Sequence, residues 1–326
     1  MNPSRPFLAC ALAFALATAT GVARAESGSD YPSRQITLVA PFSAGSVTDA
    51  VSRVIGNALS KTLGKPIVVE NKPGAQATIG AAYVANAKPD GYTLLVSSSV
   101  MYVAKSLFKT LTYDPVESFE PVAGVGSTAM MFLVAADSPM KSVDDLAGAV
   151  KRANPPVSMA YGSPSGQVAV ALFSTVSGST PTAVSYRGIP QAVTDLIGGH
   201  VQVAVVDIGT GLAQVNADKA RALAISSGKR YVGAPNTPTL QEAYPGAGGA
   251  LETIIGIQAP KGTPAAIVQK LDKALKEAMA TEEVQAQFRS LNTSVLSLNS
   301  EAFAKRVRED NPRWETLMKK AGIEPQ

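Results

Sequence analysis

Two short segments of small and hydroxylated residues are the parts of this sequence best suited to bind a ligand. Residues 43–48 and 162–167 each follow a short apolar run and precede a stretch with helical spacing of its apolar residues. Small side chains leave the backbone N–H groups at the next helix N-terminus accessible, and these donors bind anions together with the helix dipole. Either loop alone also fits an ordinary turn before a capped helix. Together they predict a pair of loops that grip one small carboxylate.

Enzymatic chemistry has little support in the same sequence. Cys10 is the only cysteine and His200 the only histidine, and His200 lies in a Gly-Gly-His turn typical of a surface residue. Residues 162–166 resemble a nucleophile elbow, but proline stands at the central position that serine occupies there. The sequence has no phosphate-binding loop, dinucleotide fingerprint or zinc-ligand spacing. We predict no catalytic residue, cofactor or metal; a hydrolase built on Ser163 or Ser165, with His200 or a lysine as base, is the enzymatic alternative.

The N-terminus has the pattern of a secretory signal peptide. Residues 1–5 are basic, residues 7–20 are apolar and uncharged, and an Ala-Arg-Ala sequence at positions 23–25 provides a cleavage site. The apolar run is shorter than the roughly 20 residues that a membrane-spanning helix needs. We predict that residues 1–25 are removed and that the mature protein is periplasmic. Because Cys10 lies in the removed segment, the mature chain has no cysteine and no disulfide.

The charge of the mature chain argues against nucleic acid as a partner. The full sequence has 29 Lys and Arg against 25 Asp and Glu. Removal of Arg5 and Arg24 leaves 27 against 25, a formal net charge of +2. No long basic run is interleaved with aromatic residues, which is the pattern of nucleic-acid-binding surfaces. The remaining length of about 300 residues suffices for two domains with substantial cores.

The elements that must position the two loops follow a repeated strand, loop and helix pattern. Predicted strands occupy residues 36–40, 67–70, 92–96, 131–135, 157–161, 201–206 and 222–226. Their alternation with amphipathic helical stretches predicts an α/β fold with mostly parallel, doubly wound sheets flanked by helices.

The restart of this pattern after Pro121 predicts two lobes that are discontinuous in sequence. Lobe 1 is expected to contain residues 26–120 and 252–326, and lobe 2 residues 121–251. The chain returns to lobe 1 after a segment rich in Gly and Pro at residues 233–249. We expect the lobes to hinge on two or three crossing strands.

Local signals predict where some helices begin and end. Ser142 followed by acidic residues predicts a helix N-cap, and Thr263 before Pro264 predicts an N-cap and the first helical residue. Asn311 and Pro312 predict a bend or an interruption in the last helix.

Seven short motifs of the mature chain, in their order and spacing, are specific to one receptor family. They are YPSR at 31–34, PFSAG at 41–45, NKPGA at 71–75, PDGYTLL at 89–95, YRG at 186–188, TDLIGG at 194–199 and APKGTP at 259–264. With these motifs the chain resembles the Bug-type receptors, which are the substrate-binding proteins of tripartite tricarboxylate transporters. The resemblance covers essentially the whole mature chain.

This resemblance implies both a fold and a role. The fold is a two-lobed periplasmic binding protein, a Venus flytrap that closes on a hinge around its ligand. The ligand is a small carboxylic acid, such as a di- or tricarboxylate, an amino acid or an aromatic carboxylate, held by backbone amides and ordered waters of the two loops. The implied partners are the membrane permease subunits of the transporter. The receptor itself is expected to be a monomer and not an enzyme.

The resemblance also assigns ligand contacts in both halves of the chain. The first half supplies Phe42, Ala44, Gly45, Ser46, Val47, Thr48, Asp49, Ser97 and Ser98. The second half supplies Gly162, Ser163, Ser165, Gly166, Gln167, Tyr186, Arg187 and Asp207. Three of these have an alternative role: Asp49 as a stabiliser of its helix N-terminus, Arg187 as a solvated turn residue and Asp207 as a cap.

Three positions depart from the family pattern. Ser46 stands where glycine is common, the second loop is several residues shorter than usual with Gln167 near the place of an expected histidine, and residues 253–256 replace a stretch that usually carries aromatic side chains. The identity of the ligand therefore does not follow from the resemblance. A receptor that presents its ligand state to a membrane signalling protein has the same fold and is the alternative to transport.

Overall fold

Eleven strands form two β-sheets in residues 31–320, the part of the chain that the computed structural model describes. The strands are β1 (Ile36–Ala40), β2 (Ile67–Asn71), β3 (Thr93–Ser98), β4 (Phe119–Thr128), β5 (Met130–Ala135), β6 (Ser158–Tyr161), β7 (Thr182–Ser185), β8 (Val203–Asp207), β9 (Ala220–Ile225), β10 (Thr253–Pro260) and β11 (Ser294–Leu298). The first sheet has the order β11-β4-β10-β3-β1-β2 and the second β7-β6-β8-β5-β9. The predicted signal peptide lies outside the described residues.

Helices connect the strands and cover the sheets. They are α1 (Val47–Leu63), α2 (Thr78–Ala85), α3 (Ala104–Leu107), α4 (Val143–Arg152), α5 (Pro164–Ser177), α6 (Ile189–Ile197), α7 (Ile208–Asn216), α8 (Leu240–Ala243), α9 (Ala265–Met279), α10 (Glu282–Ser290) and α11 (Ser300–Lys320). The predicted N-cap Ser142 is confirmed, since its Oγ accepts the Asp145 N–H at 3.0 Å. None of the helices within residues 31–320 combines the length and the apolar character needed to cross a bilayer.

Each sheet combines the predicted parallel core with one inserted antiparallel strand. β2, β1 and β3 are parallel neighbours in the first sheet, as are β7, β6 and β8 in the second. β10 runs antiparallel between β3 and β4, and β5 runs antiparallel between β8 and β9. The sheets are mixed because these two strands enter from the other sheet, and in the first sheet also because the edge strand β11 runs antiparallel to β4. Ala129 alone separates β4 from β5, so the chain runs straight on instead of returning through a helical crossover.

Hydrophobic packing explains why these helices lie where they do. On one face of the first sheet, buried side chains of α1, α9 and α10, including Val51, Leu271 and Phe288, pack against strand residues such as Leu94. Complete burial of one such side chain contributes about 1.5–3 kcal/mol. Helix α11 instead contributes to a core cluster that also contains residues of α5 and the second sheet. Helix α11 therefore packs against elements of both lobes and restrains the position of one lobe relative to the other.

One local prediction near the C-terminus differs from the structure, and the interruption considered at Pro312 does not occur. The N-cap of α9 is Pro264, not Thr263, because the Thr263 hydroxyl donates to the Pro260 carbonyl at 2.8 Å and belongs to the preceding turn. Helix α11 continues through Pro312 without interruption. Burial of Trp314 and Met318 beyond the proline holds the second half of the helix in place despite the hydrogen bond that proline removes.

A glycine on β10 allows α11 to approach the first sheet. A Cβ atom at Gly256 would overlap the ring of Phe303, which is buried. We predict that Gly256→Ala lowers the free energy of unfolding by about 1–3 kcal/mol, because the ring has to leave its position in a packed core. Urea denaturation measures this change. At Gly228 an added Cβ makes only ordinary contacts, so Gly228→Ala is the matched control. Equal stability of the two variants would contradict this packing.

Candidate functional site

Both predicted loops follow the strand at the switch point of their sheet. In the first sheet, β1 lies between β2 and β3. The chain runs from β1 through α1 to β2 on one side of β1, and then crosses to β3 on the other side. In the second sheet, β6 has the same place between β7 and β8. Ligands of open α/β sheets bind in the crevice outside the carboxyl ends of the strands at such a point. The loops after β1 and β6 therefore lie where the topology opens a crevice.

The crossing strands turn these two crevices toward each other. β4 ends at Thr128, which pairs with Thr253 at the start of β10, and Met130 at the start of β5 pairs with Asp207 at the end of β8. The chain thus passes between the sheets at the carboxyl edge of each. Loop residues of the two lobes consequently face each other across the crossing.

The first loop presents two backbone donors at the N-terminus of α1. Ser46 is the N-cap, and its Oγ accepts the Asp49 N–H at 3.2 Å while its carbonyl accepts the Ala50 N–H at 2.9 Å. Among the described contacts, the N–H groups of Val47 and Thr48 have no acceptor within the protein. These are the first two helical residues, where unpaired N–H groups are expected. They form a candidate anion site at the edge of the first sheet.

The carboxylate of Asp49 holds this loop in shape. It is buried, and its Oδ2 accepts the Gly45 N–H at 2.9 Å and the Arg53 Nε–H at 3.2 Å. Its Oδ1 accepts the Asn71 side-chain amide at 2.9 Å. The same amide donates to the Phe42 carbonyl at 3.1 Å. Both carboxylate oxygens of Asp49 therefore accept hydrogen bonds from the protein itself. Its role is to position the loop, which is close to the alternative role predicted for it, the stabilisation of the helix N-terminus.

Arg53 and Asn71 were not predicted as site residues. Arg53 follows Asp49 by one helical turn, a spacing that indicates an ion pair. Asn71 ends β2 at the same edge as the loop, and the parallel pairing of β1 and β2 brings it there. Burial by itself raises the pKa of the Asp49 carboxyl, but the hydrogen bonds from Gly45, Asn71 and Arg53, with the charge of Arg53, outweigh it and lower the pKa below its usual value.

The second loop presents fewer free donors than the first. Ser163 is the N-cap of α5, and its Oγ accepts the Gly166 N–H at 3.1 Å, while its carbonyl accepts the Gln167 N–H at 3.0 Å. Pro164 has no N–H to offer. This leaves the Ser165 N–H at the start of the helix. The Ser165 hydroxyl shares a hydrogen bond of 3.2 Å with the Thr253 hydroxyl of β10.

A glycine contact joins the second loop to the turn that carries Arg187. A Cβ at Gly162 would overlap the backbone of Gly188 and Ile189, so only glycine permits this approach. Arg187 is exposed in that turn and has no ion pair among the described contacts. The neighbouring Tyr186 hydroxyl donates to Asp195 of α6 at 2.6 Å. The loop and Arg187 are thus brought together, while the Tyr186 hydroxyl is engaged within its own lobe.

Three further predicted site residues lie at the ends of strands next to the loops. Asp207 is the N-cap of α7, since its carboxylate accepts the Thr210 N–H at 2.8 Å and the Thr210 hydroxyl at 2.7 Å. The Ser97 hydroxyl donates to the Gly256 carbonyl at 3.2 Å. Ser98 lies opposite Ile255, whose side chain belongs to the core under α1, so Ser98 faces α1. Its hydroxyl has no hydrogen-bond partner among the described contacts.

The geometry does not bring His200 to the two serines of the hydrolase considered from the sequence. Ser163 and Ser165 follow β6 at the carboxyl edge of the second sheet, and His200 precedes the parallel strand β8 at the amino edge. The two ends of such a strand are separated by the strand's length. Residues 31–320 also contain no group of three His, Cys, Asp or Glu arranged to hold a metal ion.

The structure has two α/β lobes that are joined by crossing strands, and each lobe has a helix N-terminus at the edge that faces the other lobe. This is the architecture of a two-lobed solute-binding protein. The family model of the tripartite tricarboxylate transporter family receptors, TctC, matches residues 51–323. Protein BugT of Bordetella pertussis is 30% identical over 327 residues, which cover 99% of this chain and 99% of BugT. The solved structure of the periplasmic binding protein BugD is 35% identical, with a TM-score of 0.76, over 91% of this chain and 100% of BugD. MatC from Rhodopseudomonas palustris with bound malate is 30% identical, with a TM-score of 0.75, over 88% of this chain and 99% of MatC.

The chain belongs to the tripartite tricarboxylate transporter receptor family. This confirms the resemblance to Bug-type receptors and the two-lobed α/β fold of a periplasmic binding protein. The protein is a solute receptor of this family and not an enzyme.

The Asp49 network generates a stability prediction. Asp49→Ala leaves the Gly45 N–H without its acceptor and removes one of the two acceptors of the Asn71 amide, and we expect a loss of about 1–3 kcal/mol in the free energy of unfolding at neutral pH. Chemical denaturation measures it. Because folding lowers the pKa of Asp49, its contribution is present above the unfolded pKa of about 3.9 and is lost as the pH falls further. The gap between wild type and variant should therefore narrow below about pH 4.

An exposed carboxylate provides the control for this experiment. Glu283 pairs with Lys61 on the surface, and Glu283→Ala should change stability little. If Asp49→Ala behaved like Glu283→Ala, the network would not hold the loop.

Proposed function

We propose that this protein binds a small carboxylic acid between its two lobes and delivers it to the permease subunits of a tripartite tricarboxylate transporter. The observation that carries this proposal is the pair of unpaired N–H groups of Val47 and Thr48 at the N-terminus of α1. They lie at the switch point of the first sheet, where a ligand has room to approach. Two convergent N–H donors and the positive end of the helix dipole suit a carboxylate better than a neutral group.

Further groups around α1 support a carboxylate at this position. The Ser98 hydroxyl faces the same side of the sheet as α1 and is free to donate. Gly45, which precedes the helix, has a φ of 82°, a conformation that suits glycine and leaves no Cβ over the approach to the donors. From lobe 2, the Ser165 N–H and the exposed guanidinium of Arg187 supply complementary groups for the far side of the ligand.

The remaining parts of the proposal concern closure and location. We propose that residues 26–120 with 252–326 and residues 121–251 move as two lobes about the strands that join them, and that closure buries the ligand. We also propose that residues 1–25 are a signal peptide, that the mature protein works in the periplasm as a monomer, and that it is a receptor for transport. The malate bound to MatC supports a small dicarboxylate as the first ligand to test.

The anion-binding model predicts that the acid and its neutral derivatives behave differently. A cognate carboxylate at 100 times its dissociation constant should stabilise the protein by about 2.7 kcal/mol, because it binds the native state alone. The corresponding amide or methyl ester should give no comparable rise in melting temperature. Differential scanning fluorimetry with acid, amide and ester in parallel measures this. Equal shifts from acid and ester would rule out a site built for an anion.

A single proline substitution tests the N-terminus of α1. Val47 is the first helical residue and follows Ser46 with a ψ of 160°, so proline fits the backbone there and removes the N–H donor, while its apolar ring replaces the partly buried side chain of Val47. We predict that Val47→Pro weakens carboxylate binding about 10- to 100-fold, the value of one hydrogen bond to a charged group, with the melting temperature of the free protein nearly unchanged. Calorimetric titration measures the affinity.

The matched control places the same substitution on another helix. Glu282 is the first residue of α10 and follows Thr281 with a ψ of 140°. Glu282→Pro should leave carboxylate affinity unchanged. Wild-type affinity in Val47→Pro would show that the α1 donors do not bind the ligand.

A further inference from the structure

Side-chain hydroxyl groups lie between the N-termini of α1 and α5. Ser165 at the start of α5, which follows β6 of the second sheet, shares a hydrogen bond of 3.2 Å with Thr253 at the start of β10 in the first sheet. Both are buried, with exposures of 9% and 8%. A pair of hydroxyl groups therefore closes the gap between the lobes at the point where the chain crosses.

Ser98 extends this pair toward the N-terminus of α1. Thr253 and Ile255 lie on the same face of β10, because alternate residues of a strand share a face. Ser98 pairs with Ile255 and so lies on that face too, diagonal to Thr253 at about 7–8 Å between Cα atoms. Only 3% of Ser98 is exposed, and its hydroxyl has no partner among the described contacts. The three hydroxyls form a row, here called the hydroxyl floor, that leads from α1 to α5.

The hydroxyl floor has a consequence for the ligand that lies over it. A ligand enclosed between the lobes excludes water from the hydroxyl groups that it covers. A methylene or an aromatic edge at this place leaves buried hydroxyls unpaired, which weakens binding, whereas a hydroxyl or keto oxygen on the ligand restores the hydrogen bonds. Side chains with charge take no part in the floor itself, so a neutral polar group is the better match.

We propose that Thr253 is a specificity-determining residue, and that the hydroxyl floor selects carboxylic acids with a hydroxyl or keto group on the carbon skeleton over their unsubstituted analogues. This inference rests on the proposed function, since it places the acid group of the ligand at α1. The hydrogen bond to Ser165 fixes the orientation of the Thr253 hydroxyl and links selection in lobe 1 to the helix N-terminus of lobe 2.

Matched acids that differ by one hydroxyl test this inference. Calorimetric titrations compare lactate with propionate, malate with succinate, and 3-phenyllactate with 3-phenylpropionate. In every pair that binds, we expect the hydroxylated acid to bind at least about tenfold more tightly. Thr253→Val, which keeps the shape of the side chain and suits a strand, should reduce this ratio to less than about threefold. Ser165→Ala should reduce it in the same direction.

Thr93→Val is the matched control, because it makes the same change at the amino end of β3, away from the facing edges. It should retain the wild-type ratio. A wild-type ratio near one in the pairs that bind, or an unchanged ratio in Thr253→Val, would overturn the inference and leave the proposed function standing. If no acid of the panel bound the wild-type protein, the proposed carboxylate function would fail, and this inference with it.

Discussion

The hydrogen bond from the Gly45 N–H to the buried Asp49 carboxylate is the interaction on which the candidate site depends. It holds the turn between β1 and α1, in which the Ser46 N–H donates to the Ser43 carbonyl at 3.1 Å while the N–H groups of Val47 and Thr48 have no acceptor among the described contacts. Arg53 and Asn71 bind the same carboxylate, so the loop, α1 and the end of β2 form one unit. Donors held in this way need little reorganisation when an anion binds, and such preorganisation increases affinity. The charge of Arg53 also offsets the repulsion between Asp49 and an anionic ligand.

The two lobes contribute unequally to the site. Lobe 1 offers two free backbone donors at α1, while the Ser163 cap and Pro164 leave one at α5. We therefore expect the carboxylate to dock first on lobe 1, with lobe 2 adding contacts as the cleft closes. The restraint on this movement comes from the two strand crossings and from α11, whose buried side chains share a core cluster with α5.

Local patterns in the sequence were sufficient to place seven of the eleven described strands, to identify the family and to locate both loops. Strand β1 and the N-cap Ser142 agree with their predictions because a short apolar run and a helix cap are properties of neighbouring residues. The antiparallel insertion of β10 was not predicted, because strand pairing joins residues far apart in sequence. For Asp49 and Asp207, the sequence could not distinguish a structural role from ligand binding, because here too the decisive partners are not adjacent residues. Both are acidic residues beside a helix N-terminus, and only their partners, Asn71 for one and Thr210 for the other, show that the protein itself satisfies them.

The central claim is that the ligand's carboxylate is held by the first turn of α1. A crystal structure of the mature protein with an acid that binds in calorimetric titration tests this most directly. The account predicts carboxylate oxygens within hydrogen-bonding distance, about 2.7–3.2 Å, of the Val47 and Thr48 nitrogens, with the second lobe closed over the ligand. A bound carboxylate held elsewhere, with these two N–H groups still facing water, would contradict it.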